Sequence, residues 1–499
     1  ADAGGTFLDL VLVDDTGRIA VGKSLHTPNN PEVGIMEAVG IAAKALDLDA
    51  QSVLDNCTLV FHGTTVTTNG MIERTGVRTG LICTKGFEDT LRIGRVKART
   101  EGLDQYQLTQ YTLNDPPPPI VSELDIAGVS GRMDAQGTEI LALDMDALEA
   151  GATRLVQAGV EAIVISFLHS YANPAHEQQA CRFLRDKFPT LHIMASTDVA
   201  SVLGENVRHQ SVTTLLSGPV GGIVGAQQIG GLIGESNIIT TDMGGTSFDV
   251  GLVVGGQPIR SAQTVIHRHI LTVPAVDIET IGAGGGSAVW LDDNGNIKVG
   301  PRSVGSNPGP ACYGLGGLDP TVTDADVVLG FIDTSSFAFA HGRASRDYAV
   351  AAIEERIGRP LGLSAEEAAH GVLQIVNNQM ADLIRKVTIE KGHDPGDFVL
   401  LAYGGSGPAH CTAYGAEIGA KKIVIPPYAS VFSAYGIAQA DVQFSVTGSV
   451  LQVIAQDTEI PDETVQTVND ILTRIADQAQ DQIGDDFSIS GADPQLRLS

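Results

Sequence analysis

The stretch TTDMGGTSFDVGLVVGG, residues Thr240–Gly256, sets an acidic side chain before two glycines and two hydroxyls, then runs directly into an apolar segment of strand character. The first fourteen residues, ADAGGTFLDLVLVD, carry the same design in Asp2, Gly4, Gly5, Thr6 and Asp9. A glycine pair lets backbone N–H groups converge on one point, because no Cβ blocks close approach or positive φ. Such a nest binds anions, and the hydroxyls of Thr6, Thr246 and Ser247 add donors to phosphate oxygens. Asp2 and Asp242 repel phosphate unless a divalent cation lies between, and Mg2+ takes one or two carboxylates together with phosphate oxygens and waters. Two nests facing each other across a cleft would clamp a nucleoside triphosphate, with Asp2 and Asp242 holding the metal directly or through water. Either motif alone reads equally well as a β-hairpin turn.

A third element is LLAYGGSGPAH, Leu400–His410. Strand, glycine turn and a helix start at about Pro408 suit a nucleoside lying flat on backbone at Gly404, Gly405 and Gly407, where no side chain stands in the way. It is neither a Rossmann GxGxxG nor a Walker A loop.

Outward from these motifs the chain reads as α/β. Phe7–Val13 and Ile19–Ser24 form strands around the DDTG turn, and Pro31 opens a helix with apolar residues at helical spacing. Thr58–His62 reads as a short buried strand leading into HGTTVTTNG, and Thr79–Thr84 as another. DPPPP at Asp115–Pro119 marks a surface connection. From Ala147 helices and strands alternate, with Glu161–Ser170 a fully buried strand, and a second α/β unit begins near Ser217. Ser364 and Glu367 form a capping box at the head of the longest helix, which Gly392 stops.

At 499 residues a multidomain globular protein is expected. A formal charge of -28 argues against nonspecific binding to nucleic acid or an anionic membrane. Five scattered cysteines without a CxxC pair favour a reducing cytoplasm, and no apolar run approaches a bilayer span. The start at Ala1 and the end at ADPQLRLS suggest a piece of a longer chain.

In the order phosphate nest, phosphate nest, nucleoside turn, the motifs resemble the actin, Hsp70 and sugar-kinase superfamily, a ribonuclease-H-like α/β ATPase fold whose two domains close on ATP. The segments FHGTTVTTNGMIERTG, KGFEDTLRIGR, LLSGPVGGIVGA, DMGGTSFDV, IGAGGGSAVWLD, VGPRSVGSNPGPACYG, PTVTDADVVLG and YGGSGPAH together resemble the hydantoinase A, 5-oxoprolinase and ketone carboxylase family over nearly the whole chain. That resemblance implies an N-terminal hydantoinase A-type domain over 1–200, an ATP-binding domain over 201–445 and the start of a C-terminal domain over 446–499. It implies an enzyme that uses ATP and Mg2+ to phosphorylate an amide or ketone (enol) carbonyl oxygen and/or bicarbonate, in a hetero-oligomer with a hydantoinase B-type subunit. The substrate is a small ketone with bicarbonate or a cyclic amide, and the opening of the chain, which resembles acetone carboxylase β-type subunits, leans toward the ketone. A family segment of several tens of residues is missing near Arg208–Gln210.

The carbonyl oxygen must be held in line with the γ-phosphate. Candidates beside Asp2 and Asp242 are Thr64, Thr65 and Asn69, Asp277 and Asp324. Other features have plainer readings: His267 and His269 as a polar stripe sharing one face of a strand, Arg92, Arg95, Lys97 and Arg99 as a solvated cluster, Cys312 as a packed thiol, and His410 as a packing residue at the nucleoside turn. A nucleotide-binding module of the actin type, without phosphoryl transfer to a small molecule, is the alternative from another class.

Overall fold

The computed structural model describes residues 1–4, 7–27, 30–64, 76–93, 108–110, 118–200, 217–261, 264–266, 269–271, 275–337, 342–440 and 460–486. Two compact units form, neither continuous in sequence: 1–69, 214–262 and 274–441 make the first, and 70–213, 263–273 and 442–499 the second.

The first unit opens with β1 (Asp2–Ala3), β2 (Phe7–Val13) and β3 (Ile19–Leu25), joined later by β4 (Gly63–Thr64) in the order β3-β2-β1-β4. Only β1 and β4 run parallel. The DDTG turn forms as its residues predict, with Gly17 N–H donating to Asp14 O and the Asp14 carboxylate accepting from Thr16 and Arg18 N–H. Helix α1 (Pro31–Ala45) lays Ala38, Val39 and Ala42 on Leu8, Leu10 and Ala20. The strand expected over Thr58–His62 does not form. β1 offers only two residues for pairing, so the ladder is confined to Gly63–Thr64, and Leu59 and Val60 stay exposed.

The second unit contains a wholly parallel sheet of β5 (Thr79–Thr84), β6 (Ile126–Val129), β7 (Ala162–Ser166) and β8 (His192–Ala195), ordered β8-β7-β5-β6. Helices α2 (Met145–Gln157) and α3 (Ala175–Lys187) bury Leu148, Leu155 and Leu184 in one core with Ile82, Ile163 and Ile165. β7 is shorter than expected because the buried Glu177 carboxylate accepts from Phe167 N–H at 2.8 Å and draws the chain out of the ladder. In the segment carrying the two histidines, Thr264–Ile266 pairs antiparallel with His269–Leu271, so it is not one strand; His267 lies outside the described residues.

The chain returns to the first unit with α4 (Ser217–Ile233), β9 (Ile238–Met243), β10 (Phe248–Val254), β11 (Gln257–Pro258) and β12 (Ile278–Ile281). After α5 (Val322–Val328) and the long α6 (Ala365–Ile389) come β13 (Val399–Tyr403), α7 (Gly407–Glu417), β14 (Lys422–Val424) and α8 (Phe432–Ala438). The Ser364–Glu367 capping box is present on α6, and Gly392 adopts a φ of +79° beyond its end. The sheet order is β11-β10-β9-β13-β14, with β12 also pairing with β10. It repeats the first sheet: an antiparallel hairpin, a third strand outside its second member, and a parallel strand beside its first. Helices α5, α6 and α7 cover one face of β9 and β10, while α4 and Phe432 of α8 cover the other. Among the described residues no helix is long and apolar enough to cross a membrane.

Candidate functional site

The repeated hairpin brings acidic residues face to face. Asp2 pairs directly with Asp9 across β1 and β2, and Asp242 with Asp249 across β9 and β10. Each row gains a third member on the next strand, Lys23 beside Asp9 and Thr280 beside Asp249. Like charges directly opposite each other destabilise a sheet, so both hairpins carry a cost that folding alone does not require. All four carboxylates line one cavity of about 1120 Å³ within the first unit.

Burial, then the neighbouring charges of Asp9, pushes the Asp2 carboxyl up to about 6. Asp242 is pushed up to about 8, chiefly by burial, then by Asp249, with Asp2 and Asp9 adding to the repulsion. Asp2 and Asp9 from one hairpin and Asp242 and Asp249 from the other thus share the lining of a single cavity. Burial also raises Asp9 and Asp249, opposed by Lys23 in the one case and by Thr280 and Ser247 in the other. Lys23 Nζ donates to Asp9 Oδ1 at 2.6 Å and to Ser430 O at 3.1 Å, while Thr280 Oγ1 donates to Asp249 Oδ1 at 2.5 Å. Ser433 Oγ donates to Asp242 Oδ2 at 3.0 Å. Asp2 Oδ1 is buried with no hydrogen-bond partner among the described residues. An acceptor-only group in this state calls for a cation, and hard oxygen donors with space for water and phosphate fit Mg2+.

Lys23 is the cationic counterpart to the Asp2–Asp9 pair, with its side chain 31% exposed. Lys23→Met removes the side-chain cation from that pair and should lower stability by about 1–3 kcal/mol near neutral pH. Urea unfolding of the variant checks this, and unchanged stability would contradict it.

The two glycine turns differ in one respect from the expected nests. Gly4 N–H donates to Phe7 O at 3.0 Å and Gly244 N–H to Ser247 O at 3.1 Å, so these amides close their own turns. Gly245, Thr246 and Ser247 line the cavity beyond them. The GAGGG segment buttresses the second turn, with Gly285 N–H on Gly244 O at 3.0 Å and Gly286 N–H on Gly245 O at 2.6 Å. The third turn reaches the same cavity through Gly404, Gly405 and Ser406, and Ser406 N–H donates to Met243 O at 3.0 Å. A Cβ on Gly405 would meet nothing within 4 Å, leaving a flat approach to backbone.

Of the residues singled out from sequence, Asp2, Gly4, Asp242, Gly244, Gly245, Thr246, Ser247, Gly404 and Gly405 thus line one cavity. Gly407 does not: it starts α7 and packs on Met243. Thr64 has its backbone in β4, and Gly5, Thr6, Thr65 and Asn69 lie outside the described residues, as do Arg95, Lys97 and Arg99. Asp277 pairs with Lys391 at 3.1 Å and is not among the lining residues. Asp324 is wholly buried, accepting from Thr321, Ala311 and Cys312 as the capping-box partner of α5, so its role is to hold that helix. Cys312 is a packed thiol, pushed up by burial, and Arg92 pairs with Glu123 on the surface.

Asp9, Lys23 and Asp249, none of them given a role on sequence alone, also line the cavity. The signal was present: the spacing from Asp2 to Asp9 is repeated from Asp242 to Asp249. Ser433 and the aromatic lining residues Tyr313, Phe331 and Phe337 had no such signature.

A duplicated hairpin-plus-parallel-strand sheet with an acidic cavity between the two hairpins defines an α/β protein of the actin-like ATPase type. Residues 153–446 match the hydantoinase/oxoprolinase model and residues 1–188 its N-terminal region. The chain belongs to the hydantoinase/oxoprolinase family. It is 33% identical to the caprolactamase subunit alpha of Pseudomonas jessenii over 97% of this chain and 75% of that one. It is likewise 33% identical to the acetophenone carboxylase gamma subunit of Aromatoleum aromaticum, over 88% and 67%. A nucleotide-free structure of acetone carboxylase, described for ATP-dependent acetone carboxylation, superposes with a TM-score of 0.81 at 28% identity over 98% of this chain and 77% of that one.

Proposed function

We propose that this chain is the ATP-binding subunit of a hetero-oligomeric enzyme that phosphorylates a carbonyl oxygen, with a small ketone and bicarbonate as substrates and carboxylation as the outcome. The observation that carries it is the cavity that Asp2 and Asp242 both line, with Asp2 Oδ1 buried and without a hydrogen-bond partner among the described residues. Asp2 and Asp242 would hold Mg2+, which when bound offsets the charge between carboxylates and polyphosphate. Gly245, Thr246 and Ser247 would receive phosphate oxygens, and Gly404 and Gly405 the nucleoside. A ketone oxygen is a weak nucleophile until enolised, so the site must orient it toward the phosphorus and accept a proton. The likeness to carboxylases of acetone and acetophenone supports this reading, and their subunit names support a partner chain, for which a hydantoinase B-type subunit is expected.

A second reading, ATP-dependent hydrolysis of a cyclic amide, is favoured by the caprolactamase relative. Nitrogen flanking the carbonyl makes its oxygen the better nucleophile, so the same site would serve. The experiment is ATP consumption by the assembled complex with ketones and with cyclic amides, each with and without bicarbonate. Acceleration that requires both ketone and bicarbonate is expected. Acceleration by a cyclic amide without bicarbonate establishes the second reading, and none by any of these substrates overturns carbonyl phosphorylation.

A further inference from the structure

A buried polar group that the proposed chemistry does not use lies beside the cavity. His410 of α7 and Asp326 of α5 have side chains 1% exposed. His410 Nε2 is 3.2 Å from Asp326 Oδ2, and Nδ1 is 2.9 Å from Asn377 Oδ1 on α6. A carboxylate oxygen only accepts, so the Nε2 hydrogen points at Asp326, and the Asn377 amide serves Nδ1 with its NH2 turned toward the ring. The other carboxylate oxygen, Oδ1, is buried without a partner among the described residues. A half-satisfied buried carboxylate is costly, and an apolar side chain of similar volume would join these helices more cheaply. Helix packing alone therefore does not account for it.

What Asp326 touches suggests its use. Its backbone carbonyl accepts from Phe331 N–H at 2.8 Å and Ile332 N–H at 3.4 Å, and both of those residues line the cavity. Its carboxylate holds His410 in the first turn of α7, directly after Pro408 and Ala409, which also line the cavity. Phe331 is 60% exposed, so contact with the core does not fix its position. One residue thus anchors the Phe331–Ile332 turn through its main chain and the Gly404–Ala409 turn through its side chain.

We propose that Asp326, His410 and Asn377 form a positioning unit that sets the spacing between the Phe331–Ile332 turn and the Gly404–Ala409 turn, and with it the width of the slot that receives the flat base of the nucleotide. The inference rests on the ATP reading above. It makes these buried residues determinants of nucleotide affinity although none of them reaches the ligand.

The test is steady-state ATP consumption by the assembled enzyme, with kcat and KM for ATP determined separately and melting temperature recorded alongside. Asp326→Ala removes the acceptor, whereas Asp326→Asn retains an oxygen that accepts from Nε2. KM for ATP should rise about tenfold in Asp326→Ala, with kcat changed less than about threefold, and Asp326→Asn should recover most of the loss. Asn377→Leu, which releases the other ring nitrogen and keeps the volume, should raise KM in the same sense and carries the test if Asp326→Ala does not fold. An unchanged KM in folded variants, or a fall in kcat alone, would overturn the inference. Wild-type enzyme without ATP turnover would instead overturn the functional reading on which it rests.

Discussion

Asp242→Asn should reduce ATP-dependent turnover by at least about a hundredfold, while raising the melting temperature of the ligand-free protein at pH 8. The two effects have one cause. The Asp242 carboxyl rises from its ordinary value of 3.8 to about 8, first through burial and then through the charges of Asp249, Asp2 and Asp9. Between those two values the folded state keeps a proton that the unfolded state has released, so folding loses stability as pH rises through the window. An amide of the same shape still accepts from Ser433 Oγ but carries no charge to desolvate. Variant and wild type should therefore match near pH 4 and diverge to something on the order of 2 kcal/mol or more at pH 8. Mg2+ should close the gap by stabilising wild type and not the variant. Melting curves between pH 4 and 8.5, with and without Mg2+, check this; a variant less stable than wild type at pH 8 would contradict it.

Gly404→Ala should weaken ATP binding by at least about tenfold. Gly404 has a φ of +88°, where an alanine is strained by roughly 1–2 kcal/mol. An added Cβ would also overlap Asp242 Oδ1 and run into Met243 O at 2.5 Å. The backbone has no freedom to avoid this, because Gly404 N–H is held on Ala429 O at 2.9 Å and Ser406 N–H on Met243 O at 3.0 Å. The substitution thus turns the carboxylate that the metal needs. ATP titration calorimetry on the assembled variant measures the effect, and wild-type affinity would show that the glycine turn and Asp242 do not act together.

Much of this fold is written locally. Pro31, the Ser364–Glu367 box, the DDTG turn and the glycine after α6 each act over one or two turns of chain, so their residue types determine the outcome. The repeated aspartate and diglycine pattern was equally legible, since a hairpin needs only its own residues. Thr58–His62 misled because its apolar residues suit a strand, while the length of β4 depends on how far β1, some 60 residues earlier, can pair. Asp277 and Asp324 failed as site candidates for the same kind of reason. Whether an aspartate faces a cavity, a lysine or the amides of a helix start is decided by residues distant in sequence, here Lys391 and the Ala311–Cys312 amides. A glycine turn must first satisfy itself before it can serve a ligand, and the amides of Gly4 and Gly244 do so on Phe7 O and Ser247 O.

If the two aspartate hairpins hold one metal-bound polyphosphate between them, the metal must be found at their carboxylates. Crystals of the assembled enzyme grown with Mn2+ and a nonhydrolysable ATP analogue test it through the anomalous signal of the metal. A peak is expected between Asp2 and Asp242, in contact with a phosphate oxygen of the nucleotide. Nucleotide and metal bound elsewhere, with both carboxylates untouched, would contradict it.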